Sequence, residues 1–379
     1  MDAALFTAML RDKHLFDWRR LQYKYGEEAV REFFSLLDEG FWQELPLWSG
    51  GKRPVFLPCV LPNTTATVKL LLTDPGTQAA TVEEIESSLR IENIHSSRES
   101  IQRILQGYAP GNRDETMVLG MKRGLEFISN RDNALTEENL HRLYMLTVGD
   151  YLPEEDRLLP GRYYRHGSVY VVGTELGHTG ASPKVLPEAM AALFAFINAE
   201  DGMDELVKAA IIHFMLAWLH PWFDGNGRTA RLLHLWYLLQ RGYSASLYVP
   251  FSSYINDSRN EYYKAFRTVE DNMRFFGRMD VTPFILYCIE HIYHCFPKRL
   301  SARDAESLLP PDTATEKERA LWAFVLRSYG EAGFSTKQLE RDFANAAYAT
   351  IRSFVLKFTE LGLLEKVQGG NRPKYRVRG

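Results

Sequence analysis

Apolar residues recur at helical spacing along residues 11–44, where Leu15, Trp18, Leu21, Tyr25, Val30, Phe33 and Leu37 predict an amphipathic helix. Residues 46–79 break that rhythm with repeated Pro and Gly, leaving room for a short extended piece near 55–60. The helical pattern returns at Thr81, with acidic residues in the first turn that suit the positive end of a helix dipole. It continues through 97–107, 115–129 and 136–148. Between 162 and 184 the period changes: SVYVVG alternates β-branched and aromatic residues and is closed by Gly173 and Gly177, the pattern of one half of a hairpin. Helical patterns resume at 187–199, 204–219, 228–241, 258–269 and 282–295. Residues 204–219 are apolar nearly all round yet too short to span a bilayer, which predicts a buried core helix with His213 as a core histidine. A polar, proline-marked linker is expected at 297–315. Three helical segments, 316–328, 335–343 and 347–361, then precede LLEKV, a Gly369–Gly370 turn and KYRVR. Three helices and a hairpin are the outline of a winged helix-turn-helix, so the fold class expected is mainly α.

Composition changes this picture little. A chain of 379 residues, 45% hydrophobic and 25% charged, suits two or three ordinary globular domains. A net charge of −3 gives no overall attraction to nucleic acid or membrane, so any basic surface must be local. Cys59, Cys288 and Cys295 are odd in number and lack zinc-site or disulfide spacing, which favours free thiols and a reducing, cytoplasmic setting. The N-terminal residues carry charges before any signal-peptide core forms, and no uncharged apolar run reaches membrane-spanning length. No membrane partner is expected.

Candidate chemistry concentrates in residues 220–231, His-Pro-Trp-Phe-Asp-Gly-Asn-Gly-Arg-Thr-Ala-Arg. A core helix ends at Leu219, a loop holds Gly225, Asn226 and Gly227, and a second helix begins near Arg228. Glycines let a backbone approach a phosphate, and a fresh helix N-terminus adds unpaired N–H donors with the positive dipole end. Arg228 and Arg231 are three apart, neighbours on one turn, and their planar forks suit oxyanions. Asp224 puts a carboxylate beside that anion site, a conflict that a bound Mg²⁺ resolves. His220 titrates near neutrality and can take a proton from an attacking hydroxyl.

This stretch resembles the motif of the Fic family, His-x-Phe-x-(Asp/Glu)-Gly-Asn-Gly-Arg-x-x-Arg, with Trp222 in place of the aromatic Phe. The resemblance implies a Fic-type helical core over 80–296 and transfer of AMP from ATP to a Ser, Thr or Tyr hydroxyl of a target protein, auto-modification included. His220 is then the base and Asp224 the Mg²⁺ ligand. Gly225, Asn226, Gly227, Thr229 and Ala230 form the nucleotide-binding run, with Arg228 clamping the leaving pyrophosphate and Arg231 the γ-phosphate. Relatives that act as kinases carry Lys at the position of Gly227. Ser88, Glu92 and Asn93 resemble the family's inhibitory pattern, (Ser/Thr)-x-x-x-Glu-(Gly/Asn), which makes 81–93 an inhibitory helix whose glutamate pairs with a clamp arginine, Arg231 foremost. Residues 162–184 resemble the family's target-binding flap, and Tyr263 is the residue expected beside the adenine.

The expected organisation is therefore an N-terminal helical region (1–79), the core (80–296), the linker and a winged helix-turn-helix over 316–379. Basic residues of the wing (Lys366, Arg372, Lys374, Arg376, Arg378) and Arg352 and Lys357 of its last helix admit DNA as a partner. The rival to a transferase is a DNA-binding regulator whose core binds nucleotide without turnover. Another nucleotide donor, removal of AMP and a homodimer are left open by the sequence.

Overall fold

The computed structural model describes residues 1–48, 50–51, 53–62, 72, 81–171, 178–296, 314–329, 333–343, 346–367 and 373–377. The described chain forms two compact units, Met1–Tyr293 and His294–Gly379. Most of the expected linker, the tip of the expected flap, the Gly369–Gly370 turn, Arg372 and Arg378 lie outside the described residues.

In the first unit α1 (Ala3–Leu10) comes first, and α2 (Trp18–Tyr25) and α3 (Glu27–Gly40) replace the single helix expected over 11–44. Asp17 caps α2 by accepting from the Arg20 N–H, and Gly26, at φ +88°, ends α2 and starts α3. Helical spacing survives that break, so the periodicity alone did not reveal it. Gln43–Glu44 (β1) and Val55–Phe56 (β2) pair antiparallel, placing the extended piece where it was expected.

The centre of this unit is α9 (Glu205–Leu219) packed on α10 (Asn226–Gln240). Both are buried almost all round, and α6 (Arg113–Ser129), on which α5 (Arg98–Leu105) packs, encloses them with α7 (Glu137–Val148) and α8 (Leu186–Asn198). Asn112 caps α6 and Thr136 caps α7, each accepting a backbone N–H three residues on. His213 is fully buried with Nε2 3.0 Å from the Tyr262 hydroxyl, the core histidine expected. The expected half-hairpin is β3 (Tyr170–Val171), paired with β4 (His178–Thr179).

The helix α4 (Thr81–Ile91) lies on α11 (Phe251–Asp257), a short helix that the periodicity did not predict. α12 (Arg259–Phe276) runs seven residues beyond its expected end at 269 before Gly277 closes it at φ +69°. α13 (Thr282–Tyr287) passes into a π-turn over Cys288–Ile292. Cys59 is exposed, Cys288 is buried and Cys295 is partly buried. No described helix is long and apolar enough to cross a membrane.

The second unit holds α14 (Glu316–Ser328), α15 (Thr336–Phe343), α16 (Tyr348–Glu360) and the antiparallel pair β5 (Leu364–Val367) and β6 (Lys374–Val377). Thr315 and Glu318 form a capping box at the start of α14. Leu321, Trp322, Val325, Ile351, Phe354 and Phe358 make a core separate from the first unit's. Phe334 exchanges backbone hydrogen bonds of 2.8 Å with Tyr375, adding a bridge to the hairpin. Two expected basic contacts are already paired: Lys357 with Glu318 at 2.8 Å, and Arg376 with Glu365.

Candidate active site

The loop between α9 and α10 is set by two left-handed residues. His220 ends α9 at φ +54°, ψ +60°, and Gly225 precedes α10 at φ +79°. Positive φ strains a non-glycine residue, and such strain persists only where surroundings over-determine it. Here they do. Buried Arg165 donates from Nε to the His220 carbonyl at 2.8 Å, from Nη1 to the Gly167 carbonyl at 2.6 Å and from Nη2 to the Ala181 carbonyl. The Arg165 N–H also donates to the Pro221 carbonyl and the Ala181 N–H to the Leu219 carbonyl. The base of the hairpin is thus stitched to the end of α9. A Cβ on Gly180 would lie 2.9 Å from that of His220, so only glycine permits the approach.

Trp222 anchors the other side. Its ring is fully buried and stacks on Tyr144 at 4.2 Å between centroids and 6° between planes. Its indole N–H donates to the Tyr163 carbonyl at 2.9 Å, a partner that a phenylalanine there would leave unpaired. The Asn226 side chain clamps the loop from within: Oδ1 accepts the Trp222 N–H at 3.0 Å and Nδ2 donates to the Trp222 carbonyl at 2.9 Å. Asn226 therefore shapes the bend with its side chain and offers an anion its backbone alone. Thr229 and Ala230 are fully buried in α10, and the Thr229 hydroxyl donates back to the Gly225 carbonyl. The Thr229 N–H donates to the same carbonyl at 2.9 Å, so both of its donors are spent inside the loop and helix.

His220 is half-buried, with Nδ1 3.3 Å from the Ala217 carbonyl oxygen. A carbonyl only accepts, so Nδ1 carries the proton and Nε2 is the basic nitrogen. Asp224 accepts from the Gly225 N–H at 2.6 Å and from Arg228 Nη2 at 2.9 Å, and its side chain is 43% exposed. Arg228 is buried, donates from Nη1 to the Tyr151 hydroxyl, and has its Nε without a hydrogen-bond partner among the described residues. A buried, unpaired guanidinium N–H is a cost that an incoming oxyanion would remove.

Arg231 is held by α4. Its Nε donates to the Ser88 hydroxyl at 3.0 Å, and its Nη2 donates to the Ser88 carbonyl at 2.9 Å and to Glu92 Oε1 at 2.8 Å. The same carboxylate lies against Gly227, where any Cβ would collide with it. A negative group thus sits at the first turn of α10, the place where unpaired N–H donors favour an anion. Asn93 follows at φ +60° and closes α4 in a Schellman arrangement, with Ile94 N–H to Leu89 carbonyl and Asn93 N–H to Arg90 carbonyl both 3.0 Å. Asn or Gly after the glutamate has this physical reason: the helix must stop in a left-handed residue for the carboxylate to end its last turn. The Asn93 side chain also accepts from Arg259 at 2.9 Å, and Arg259 lies over the Tyr263 ring. Tyr263 is therefore brought beside the end of α4, half-buried and in edge contact with Tyr262.

No group of three or more His, Cys, Asp or Glu side chains able to hold a metal occurs among the described residues. Asp224 still fits Mg²⁺, which takes oxygen donors and completes its shell with water and substrate phosphates around one or two carboxylates. Sequence reasoning gave no role to Arg165, Tyr144 or Tyr151. Arg165 stood within the segment likened to the flap, whereas Tyr151 lies in a loop with no periodic signal.

The Fic/DOC family model matches residues 134–238, which contain the whole loop. Protein adenylyltransferase fic-1 of Caenorhabditis briggsae is 27% identical over 183 residues, covering 47% of this chain and 32% of that protein. Protein adenylyltransferase Fic of Culex quinquefasciatus is 28% identical over 176 residues, 45% of this chain and 31% of that one. The match spans about a third of the length of these curated relatives. The crystal structure of a Fic family protein from Desulfovibrio desulfuricans G20 aligns over 84% of this chain and 89% of its own with a TM-score of 0.51 at 20% identity, a likeness of fold. The left-handed bend between two buried helices and the side chains it gathers fall inside the matched region: the chain carries a Fic/DOC domain over residues 134–238.

Proposed function

We propose that this chain is a protein AMP-transferase that moves AMP from ATP to a Ser, Thr or Tyr hydroxyl and is held in check by Glu92. The observation that carries the reading is the Glu92–Arg231 ion pair at 2.8 Å, formed across 139 residues of sequence at the head of the glycine loop. In this reading the target hydroxyl gives its proton to His220 Nε2 as its oxygen attacks the α-phosphorus. The bond from that phosphorus to the pyrophosphate oxygen breaks, and the backbone N–H groups of the α10 N-terminus with Arg228 stabilise the departing charge. Asp224 would hold Mg²⁺, which when bound neutralises phosphate charge. Glu92 occupies Arg231, the partner assigned to the γ-phosphate, and places like charge beside any triphosphate. The relatives' printed name, protein adenylyltransferase, supports the donor chemistry.

The test is direct. With labelled ATP and Mg²⁺, Glu92→Gly should raise auto-modification at least tenfold, the removal of one charge-assisted contact being worth about 1.5–3 kcal/mol. Adding His220→Ala should abolish it. Equal labelling with and without Glu92 would remove the inhibitory reading; no labelling in either would remove the transferase.

A further inference from the structure

Arg228 is buried and holds its fork with few partners: Asp224 Oδ1 at 2.9 Å, the Tyr151 hydroxyl, and the Tyr151 ring 5.2 Å from its guanidinium carbon. Among the described residues Asp224 is its one carboxylate partner within ion-pair distance. Arginine only donates, so the Tyr151 oxygen is the acceptor. Burial raises the Tyr151 pKa well above its ordinary value, which keeps the phenol neutral beside the guanidinium. The loop carrying Tyr151 is tied to the end of α7 by the Tyr151 N–H to the Val148 carbonyl, and Val148 packs against Gly225 of the bend. Tyr151 therefore stands on the same support as the anion loop.

Asp224 has two uses that compete. A carboxylate drawn to a cation gives up part of its bond to Arg228, and a neutral phenol does not enter that competition.

We propose that Tyr151 is a positioning residue of this site: its hydroxyl and ring keep the Arg228 fork aimed at the polyphosphate tail once Asp224 is engaged elsewhere. This rests on the transferase reading above and names a residue outside its motif. The consequence is selective. Tyr151 should matter for a ligand with β- and γ-phosphates and be indifferent to one that ends at the α-phosphate. A residue that merely supported the fold would affect both.

The experiment is calorimetric binding of ATP and of AMP to the Glu92→Gly protein, with and without Mg²⁺, against the same protein carrying Tyr151→Phe. The expected result is ATP binding weakened about tenfold with Mg²⁺, the worth of one hydrogen bond to a charged group. The loss should be smaller without Mg²⁺, where Asp224 still holds the fork, and AMP binding should be unchanged, while the Tm falls by about 2–6 °C because a buried guanidinium donor loses its acceptor. Arg228→Lys, which replaces the fork by a point charge, should give the same ATP-selective loss, and adding Tyr151→Phe to it should weaken ATP binding no further. Equal weakening of ATP and AMP, unchanged ATP binding, or additive losses in the double variant would each overturn the assignment of Tyr151. If the Tyr151-containing Glu92→Gly protein itself binds no ATP, the transferase reading falls and this one with it; if it binds ATP and Tyr151→Phe matches it, this one alone falls.

Discussion

Trp222 illustrates how one residue's chemistry is decided by its surroundings. The family motif has Phe there, and a buried indole can take that place only if its N–H finds a partner. The partner is the Tyr163 carbonyl, at the entrance to the hairpin. Trp222→Phe would keep most of the stack on Tyr144 but leave that carbonyl without its donor, at about 1–3 kcal/mol. The expected outcome in a thermal melt is a Tm lower by about 2–6 °C with His220-dependent labelling of the Glu92→Gly protein retained. An unchanged Tm would mean that the hydrogen bond contributes nothing net.

At the scale of elements, the position of α4 determines whether Glu92 reaches Arg231. That helix is latched to α11 through two carboxylates. Glu84, fully buried, accepts from the Ser252 N–H at 2.7 Å and from the Ser252 hydroxyl, and Glu83 accepts from the Ser253 hydroxyl at 2.9 Å. Burial pushes the Glu84 carboxyl up to about 6, against the hydrogen bonds from Ser252 and the field of Arg231. A folded pKa raised above the unfolded value contributes stability that is present below the unfolded pKa and lost as pH rises through the folded one. The latch is therefore tighter at pH 5 than at pH 8. Glu84→Gln keeps an acceptor and a donor for Ser252 but cannot ionise. Relative to the parent, its unfolding free energy should gain about 1–2 kcal/mol between pH 5 and pH 8. Denaturant unfolding at the two pH values measures this, and a pH-independent difference would contradict it. Neither α11 nor the latch was legible in the sequence, because a seven-residue helix after Pro250 has too few turns to establish a period.

At the scale of the whole molecule, the two units have separate cores, and the second depends on a few large side chains. Trp322 is fully buried there against Phe358. Trp322→Ala should cost about 3–5 kcal/mol, enough to unfold a unit of this size. Limited proteolysis followed by intact-mass analysis should then show rapid loss of residues from 294–379 while 1–293 persists. Simultaneous loss of both units would show that they fold as one.

Most long helices and their order, the two later hairpins and the glycine bend between two core helices could be read from the sequence, since each rests on local rules: a period, a turn, a glycine. Ser88, Glu92 and Asn93 were singled out by resemblance to the family's inhibitory pattern, with Ser88 and Glu92 four apart on one helix face. What local rules could not supply were contacts between distant segments. Gly26 divided a continuous amphipathic pattern, Arg165 tied the hairpin to the strained His220, Glu84 latched α4 onto α11, and Tyr151 found Arg228 across 77 residues. The chain by itself determined which groups could do the chemistry. Tertiary packing alone decided which of them meet, since burial turns an unpaired N–H or carboxylate into a free-energy cost that a partner from elsewhere in the fold must remove.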